Sequence, residues 1–163
     1  MSSLALQLEL ATGKLVTKLT SLELMLATAE SCTGGLLGKV ITDISGSSAV
    51  YERGFITYAN QAKIEMLSVE RSQLLQHGAV REEVATAMAS GAIQHSTAQV
   101  AISTTGIAGP GGGTKDKPVG TVCFAWQVNE ISNSSTRHFA GNRDEVRYQA
   151  CIYLIKQTLG ALG

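Results

Sequence analysis

The feature that most constrains the fold is an alternation of short β-like runs with longer segments of helical character. The β-like runs are apolar or rich in β-branched and aromatic residues, and they cover 24–30, 49–59, 98–104 and 119–128. The helical segments cover 4–23, 34–44, 60–69, 70–76, 81–96 and 142–162. Helices that alternate with strands are typical of a layered α/β domain. We therefore predict a three-layer α/β/α fold.

The sheet of this fold is predicted to be mixed and mostly parallel. Strands joined through a helix suit parallel pairing. The run at 119–128 and an edge strand predicted at 134–140 are close enough in sequence to pair antiparallel. No internal repeat and no linker divides the chain, so residues 1–163 are predicted to form a single domain.

Glycine, threonine and asparagine residues predict where several helices begin or end. The segment 4–23 is expected to form one or two helical pieces broken near Gly13. Thr33 is expected to open the helix at 34–44. Asn60 and Asn142 are predicted N-caps, because an asparagine side chain accepts hydrogen bonds from first-turn amides.

Composition and charge exclude several classes of protein. Hydrophobic residues make up 44% of the 163 residues and charged residues 16%, which is typical of a globular chain. The formal net charge is zero, so nothing predicts binding to nucleic acid. No apolar run is long enough to span a bilayer, and the N-terminal sequence does not resemble a signal peptide. We expect a cytoplasmic protein with no membrane partner.

The cysteine and histidine residues do not predict a metal centre. The three cysteines are widely spaced, with no Cys-x-x-Cys pair and no clustered histidine: they are Cys32, Cys123 and Cys151. A structural zinc site or a disulfide framework is therefore not expected, and free cysteines of this kind usually behave as small hydrophobic residues. No metal and no cofactor is predicted.

Two polar, glycine-rich segments follow predicted buried strands, at 28–35 and 104–114. Ligands of layered α/β domains bind outside the carboxyl ends of the strands. Both segments are therefore predicted to meet at one cleft.

The first segment reads TAESCTGG and allows two interpretations of Ser31. In one, a serine or threonine caps a helix and is followed by packing glycines. In the other, Ser31 is a nucleophile at a strand-to-helix turn, where exposed amides would stabilise an oxyanion and Gly34 and Gly35 permit close approach of a ligand. A nucleophilic serine also needs a base.

No histidine has the context of a catalytic triad, so a lysine is considered as the base of Ser31. Desolvation lowers the pKa of a lysine towards neutrality. Lys63 is a candidate, because it follows FITYANQ near the end of a predicted strand. The alternative for Lys63 is a solvated lysine on a helix surface.

The second segment and the last helix offer candidate anion-binding groups. The loop TTGIAGPGGGTKDKP matches neither a Walker nor a dinucleotide-binding motif, and it is either an anion nest or an ordinary flexible loop. Arg143 and Arg147 lie one turn apart and would form a two-pronged phosphate grip. The alternative is that they form surface ion pairs with Asp144 or Glu145.

Taken together, these motifs resemble the C-terminal domain of the competence/damage-inducible protein CinA. The resemblance is carried, in the family's order, by TAESCTGGLLGKVITDISGSSAVYERGFITYANQAK, HGAV, TGIAGPGGG, KPVGTV and GNRDEVR. It covers about residues 24 to 160. The N-terminal domain of long CinA proteins has no counterpart here, so its activity is not transferred.

The resemblance implies a reaction and a set of active-site residues. The reaction is hydrolysis of the carboxamide of nicotinamide mononucleotide to nicotinate mononucleotide and ammonia, without metal or cofactor, in pyridine nucleotide recycling. Ser31 matches the family's nucleophile and Lys63 its partner lysine, while Ser48 and Tyr58 match positions that relay protons or orient this pair. The expected substrate-binding positions are Thr33, Gly34, Gly35, Thr105, Gly106, Arg143 and Arg147. A homo-oligomer, with a dimer favoured, is also implied.

The sequence also allows other interpretations of the nucleophile and of the function. Cys32 adjoins Ser31 and is a stronger intrinsic nucleophile, so a thiol mechanism is an alternative. The chain would otherwise be a nucleotide sensor without turnover, a structural partner domain, or an amidase for a related substrate.

Overall fold

The computed structural model describes all 163 residues, Met1–Gly163. Its strands are β1 Leu26–Glu30, β2 Tyr51–Ile56, β3 Val100–Gly106, β4 Thr121–Val128 and β5 Ile131–His138. Its helices are α1 Ser3–Leu22, α2 Leu36–Thr42, α3 Asn60–Leu67, α4 Arg71–His77, α5 Glu82–Gln94 and α6 Arg143–Leu162. A short 3₁₀ helix, Ser47–Ala49, precedes β2. None of the helices is both long enough and apolar enough to cross a membrane.

The five strands form one mixed sheet in the order β2-β1-β3-β4-β5. Strand β1 pairs parallel with β2 and with β3, whereas β4 is antiparallel to β3 and to β5. Only β4 is reversed, so four of the five strands share one direction and the mixed, mostly parallel sheet is confirmed. The carboxyl ends of β1, β2 and β3 consequently lie side by side at one edge of the sheet.

Helices cover both faces of the sheet, which confirms the three-layer arrangement. On one face α1, α2 and α6 pack against β1, β3 and β4 in a core that includes Leu15, Leu26, Phe124 and Leu154. On the other face α3, α4 and α5 form a second core around Leu67 and Met88. Both faces of β1 and β3 are therefore buried, which explains why these strands read as short apolar runs without alternation.

The helix boundaries differ from the sequence predictions at three places. Helix α1 continues unbroken through Gly13, because buried positions such as Leu8 and Leu15 on either side of it pack into the first core. Asn60 is the first residue of α3 and not its cap, a position that Ala59 holds without a side-chain hydrogen bond. Helix α2 begins only at Leu36, because the turn before it has a positive φ at two successive glycines.

The N-terminus of α6 is fixed as predicted. Asn142 accepts a hydrogen bond from the Glu145 amide, and the Glu145 side chain accepts one from the Asn142 amide, so the two residues form a capping box. This cap determines where the helix begins, and therefore where Arg143 and Arg147 lie relative to the strand ends.

Two glycine substitutions in helices are expected to have opposite effects on stability. A Cβ atom at Gly91 in α5 would collide with the backbone carbonyl of Leu67 in α3, whereas a Cβ atom at Gly13 would meet nothing within 4 Å. We expect Gly91→Ala to lower the free energy of unfolding by about 1–3 kcal/mol through overpacking. Gly13→Ala is expected to raise it by about 0.5–1 kcal/mol, since alanine is the better helix former.

Urea unfolding of both variants and the wild type measures this difference. A Gly91→Ala protein as stable as the wild type would contradict the close approach of α3 and α5.

Candidate active site

A cleft of about 290 Å³ lies at the edge where β1, β2 and β3 end. Its walls come from segments that are far apart in sequence: the turn after β1, the connection from β2 into α3, residues 79–80, the glycine-rich loop after β3, and the start of α6. The two glycine-rich segments that the sequence predicted to meet both contribute to this cleft.

Ser31 and Lys63 form a buried pair at the base of the cleft. Ser31 directly follows β1 and is 8% exposed, and Lys63 lies on α3 and is 1% exposed. The Lys63 Nζ atom is 3.0 Å from Ser31 Oγ, and it donates to the carbonyl oxygens of Thr57 at 2.9 Å and Tyr58 at 3.2 Å. Lys63 is therefore not the solvated surface lysine that was the alternative interpretation.

The surroundings of Lys63 favour its neutral form. Burial lowers the pKa of the Lys63 amine, and none of the ion pairs in the chain involves Lys63. A neutral amine has two N–H donors and one lone pair. The three acceptors around Nζ satisfy the ammonium form, and in the neutral form the carbonyls of Thr57 and Tyr58 can accept both N–H groups while the lone pair accepts the Ser31 hydroxyl proton. This arrangement allows Lys63 to act as a base towards Ser31.

The turn after Ser31 is organised by the buried carboxylate of Glu30. One oxygen accepts hydrogen bonds from Thr33 Oγ1 at 2.7 Å and from the Leu37 amide at 2.9 Å, and the other accepts one from the Gly38 amide at 3.2 Å. Two first-turn amides of α2 are therefore occupied by Glu30, and the Leu36 amide donates to the Thr33 carbonyl. Sequence reasoning missed this residue, although an acid immediately before a glycine-rich turn was a signal available in the motif.

The amides that remain free lie in the turn itself. The Gly34 amide donates to the Ser31 carbonyl, whereas the amides of Cys32, Thr33 and Gly35 make no hydrogen bond within the protein. Three unpaired N–H groups close behind a candidate nucleophile can stabilise negative charge. The unpaired amides of this segment are thus in the turn and not in the first turn of the helix that follows it.

Thr33, Gly34 and Gly35 do not line the cleft. The Thr33 hydroxyl is buried between Glu30 and Thr104 Oγ1, which is 2.8 Å away. The φ angles of Gly34 and Gly35 are 59° and 103°, a conformation that favours glycine. Their observed role is to shape the turn.

Cys32 lines the same cleft and is as buried as Ser31, but no hydrogen bond joins its thiol to Lys63. Its side chain is buried, and burial raises the pKa of the thiol to about 12. Because the thiolate is the reactive form of cysteine, a protonated Cys32 is unreactive at neutral pH. Geometry and protonation therefore favour Ser31 over its neighbour.

Tyr58 and Arg143 connect the two walls of the cleft at its mouth. One Arg143 nitrogen donates to the Gly109 carbonyl at 2.7 Å and another donates to the Tyr58 hydroxyl at 3.0 Å. Tyr58 remains 61% exposed. The arginine connects the tyrosine to the glycine-rich loop, and its side chain lines the cleft.

The structure separates the two arginines that the sequence placed in one phosphate grip. Arg143 lines the cleft, but Arg147 does not. Arg147 Nη2 donates to the Thr33 carbonyl at 2.8 Å, and its Nε is buried without a hydrogen-bond partner. Its contact with the exposed Asp144 is long, at 3.8 Å. Arg147 therefore supports the turn after Ser31 from behind.

The other predicted positions fall partly within the cleft. Thr105 and Gly106 line it, and the Thr105 hydroxyl donates to the Ala79 carbonyl at 3.0 Å. The cleft is also lined by Val80 and Asn60, which were not assigned from the sequence. They belong to the motifs HGAV and YANQAK, so membership of a matched motif was the signal that could have identified them.

Ser48 lies away from this group. It is exposed on the 3₁₀ helix that precedes β2, at the amino edge of the sheet. The full length of β2, about 20 Å for six residues, separates that edge from the cleft. The expected proton relay through Ser48 is therefore not available within one chain.

Comparisons with known proteins identify the family of the chain. The chain matches the model of the CinA C-terminal domain over residues 9–161. It is 54% identical over 133 residues to the nicotinamide-nucleotide amidohydrolase PncC of Escherichia coli strain K12, covering 81% of this chain and 80% of that protein. A putative competence-damage inducible protein of Symbiobacterium thermophilum is 50% identical over 139 residues, covering 80% of this chain and 33% of that protein.

Solved structures show the same fold. The crystal structure of the competence/damage inducible protein CihA from Agrobacterium tumefaciens superimposes with a TM-score of 0.91 at 43% identity, covering 96% of this chain and 95% of that one. A CinA superfamily protein from Escherichia coli gives a TM-score of 0.91 at 39% identity, covering 94% and 90%.

The fold and the cleft define an α/β protein with a buried serine–lysine pair at the carboxyl edge of a mixed sheet. The chain belongs to the CinA C-terminal domain family, which confirms the resemblance drawn from the motifs. Its enzyme class is that of the PncC relatives, which are 49% to 54% identical to it: it is an amidohydrolase.

The lowered pKa of Lys63 predicts how stability depends on pH. Between the lowered pKa of the folded state and about 10.4 in the unfolded state, the unfolded chain binds more protons, so wild-type stability rises with pH across that window. Lys63→Met lacks this dependence. We therefore expect the stability of Lys63→Met relative to wild type to fall as pH rises from neutral towards 10.

Urea unfolding at several pH values measures this difference, with Lys156→Met as the matched control at an exposed helical lysine. A difference between Lys63→Met and wild type that does not vary with pH would show that Lys63 is charged in the folded protein.

Proposed function

We propose that this chain hydrolyses the carboxamide of nicotinamide mononucleotide to nicotinate mononucleotide and ammonia, with Ser31 as nucleophile and Lys63 as base, and so serves NAD recycling. The support for the substrate is the name of the PncC relatives. The observation that carries the mechanism is the 3.0 Å contact between Lys63 Nζ and Ser31 Oγ, in a setting where burial lowers the lysine pKa.

The first step is attack on the carboxamide carbon. Neutral Lys63 accepts the Ser31 proton as Ser31 Oγ forms a bond to that carbon, whose electrophilicity is increased by the cationic pyridinium ring. The resulting ammonium of Lys63 keeps two hydrogen bonds, to the Thr57 and Tyr58 carbonyls. Those carbonyls therefore support both protonation states of the lysine.

The tetrahedral intermediate carries negative charge on the former carboxamide oxygen. Among the free amides of the turn, that of Cys32 is the candidate donor, because Cys32 lines the cleft. Removal of one such donor costs about 3 kcal/mol of transition-state stabilisation in other enzymes. Ser48 plays no part in this proposal.

Collapse of the intermediate releases ammonia, which leaves with the proton that Lys63 accepted, and forms an acyl-enzyme on Ser31. Water then attacks the acyl carbon while Lys63 accepts its proton, and Ser31 departs with that proton. Tyr58 is assigned to substrate orientation, because Arg143 already binds its hydroxyl. No step requires a metal or a cofactor.

The glycine-rich loop and Arg143 are proposed to bind the substrate phosphate. The loop amides at Ala108, Gly109, Gly111 and Gly112 have no hydrogen-bond partner in the protein, and these residues line the cleft together with Arg143. Backbone amides in a loop of this kind form an anion-binding nest. Thr105 and Gly106 line the space between this loop and Ser31.

A second candidate function is binding of the nucleotide without turnover, as in a sensor. It is distinguished from the proposal by whether ammonia appears when the protein is incubated with the nucleotide. An amidase for a related substrate is distinguished by comparing ammonia release from nicotinamide mononucleotide, free nicotinamide and the dinucleotide. A cytoplasmic location and a homodimer complete the proposal.

Substitution of the nucleophile tests the mechanism. We expect Ser31→Ala to lower kcat for ammonia release from nicotinamide mononucleotide by on the order of 10³-fold or more, because no other group can form the acyl-enzyme. Cys32→Ala should keep most of the activity, since the thiol is protonated and buried. Full activity in Ser31→Ala together with its loss in Cys32→Ala would move the nucleophile to the thiol.

The pH dependence of kcat/KM tests the base. Catalysis needs neutral Lys63, so kcat/KM is expected to rise with pH as Lys63 loses its proton, with a midpoint below the ordinary lysine pKa of about 10.4 because burial lowers it. Lys63→Arg should be inactive at every pH, since a guanidinium keeps its proton. An active Lys63→Arg enzyme with the wild-type profile would exclude Lys63 as the base.

A further inference from the structure

We propose that Glu30 is a positioning residue of this enzyme, which holds the nucleophile turn and the lysine carbonyls in one geometry. The proposal rests on the proposed function, because it assigns Glu30 to the step in which Ser31 attacks. Glu30 does not line the cleft. It acts through the residues that do.

The Glu30 side chain connects the end of β1 to the start of α2. Its carboxylate reaches forward to the Leu37 and Gly38 amides and to the Thr33 hydroxyl, all within 3.2 Å. Ser31 and the free amides lie between these two attachment points. The turn is therefore closed by a bridge from the residue before the nucleophile to the helix after it.

The Glu30 backbone makes a second connection, to the residues that hold Lys63. Its carbonyl accepts a hydrogen bond from the Thr57 amide at 2.8 Å. The Thr57 carbonyl in turn accepts one from Lys63 Nζ at 2.9 Å. One residue thus links the segment that carries the nucleophile to the segment that orients the base.

The cost of burying this carboxylate argues against a purely stabilising role. Glu30 is 1% exposed and takes part in none of the ion pairs of the chain. A buried charge is expensive even when hydrogen-bonded, and a neutral serine or asparagine cap would serve a helix start at lower cost. A glutamate side chain is longer than those of serine and asparagine, and this length lets it bridge from the end of β1 to the amide of Leu37, the second residue of α2.

The charge of Glu30 also explains where the oxyanion donors must be. A carboxylate at the N-terminus of α2 occupies its first amides and offsets their positive potential. Of the three free amides of the turn, the one that belongs to a residue lining the cleft is that of Cys32, and the turn that carries it is closed by Glu30. Small errors in the position of a catalytic group lower the rate strongly, by up to about 10²-fold for 1 Å.

The test is Glu30→Gln, which keeps size but turns an amide NH₂ towards a backbone N–H at one end of the bridge. We expect kcat for ammonia release from nicotinamide mononucleotide to fall between about 10- and 100-fold, with KM within twofold of wild type and the acid limb of the pH profile unchanged. Ser2→Ala is the control, because it removes the N-cap hydrogen bond of α1 and Ser2 does not line the cleft. It should lower stability and leave kcat unchanged.

Several outcomes would overturn the proposal. If Glu30→Gln keeps kcat within twofold while stability falls, as in the Ser2→Ala control, Glu30 is merely structural. If KM rises while kcat is kept, Glu30 governs binding. If Glu30→Gln does not fold, Thr33→Val carries the same test by removing the hydroxyl that Glu30 binds: a severalfold loss of kcat at constant KM is expected, and an unchanged kcat overturns the proposal.

Failure of the proposed function is recognised separately, because wild-type protein would then release no ammonia from nicotinamide mononucleotide. Hydrogen exchange decides the positioning role in that case. Glu30→Gln should increase the exchange rates of the Leu37 and Gly38 amides and of the hydrogen-bonded Gly34 amide in the turn, and unchanged rates would overturn the proposal.

Discussion

The structure depends on one hydrogen bond between a buried amine and a hydroxyl. Lys63 reaches Ser31 only because α3 begins directly after β2 and because two backbone carbonyls accept the N–H groups that water would otherwise bind. An amine in that position is unfavourable when charged and useful when neutral. The surrounding fold has to exclude water from this pair and still leave a path for a substrate, which is what an open cleft above a buried base provides.

The mixed sheet places that pair by simple topology. Three parallel strands, β2, β1 and β3, end at one edge, and each continues into a segment that contributes to the cleft. The reversed strand β4 and its partner β5 extend the sheet on the far side of β3, away from Ser31. The catalytic candidates are thus carried by loops, while their positions are set by strands that are buried on both faces.

Much of this arrangement was predictable from the sequence, for reasons that are local. The alternation of short β-like runs with longer helical segments indicated the layers. A polar glycine-rich turn after an apolar run indicated Ser31. The pairing of Ser31 with Lys63 had no sequence spacing to reveal it and needed the family resemblance. The sequence could not predict that α1 continues through Gly13, because tertiary packing decides this. It also could not predict the separation of Arg143 from Arg147, because this depends on the direction of each side chain. The matched motifs suggested Ser48, but its place at the opposite sheet edge depends on strand direction.

The way the cleft is assembled determines when the chain acquires its activity during folding. Its walls come from segments near residues 31, 58, 80, 109 and 143, and they meet only when three strands are paired and the last helix is docked. No fragment or collapsed intermediate with native helices can assemble it. Recovery of catalysis during refolding is therefore a stricter measure of completed folding than recovery of secondary structure, since it reports the last long-range contacts to form.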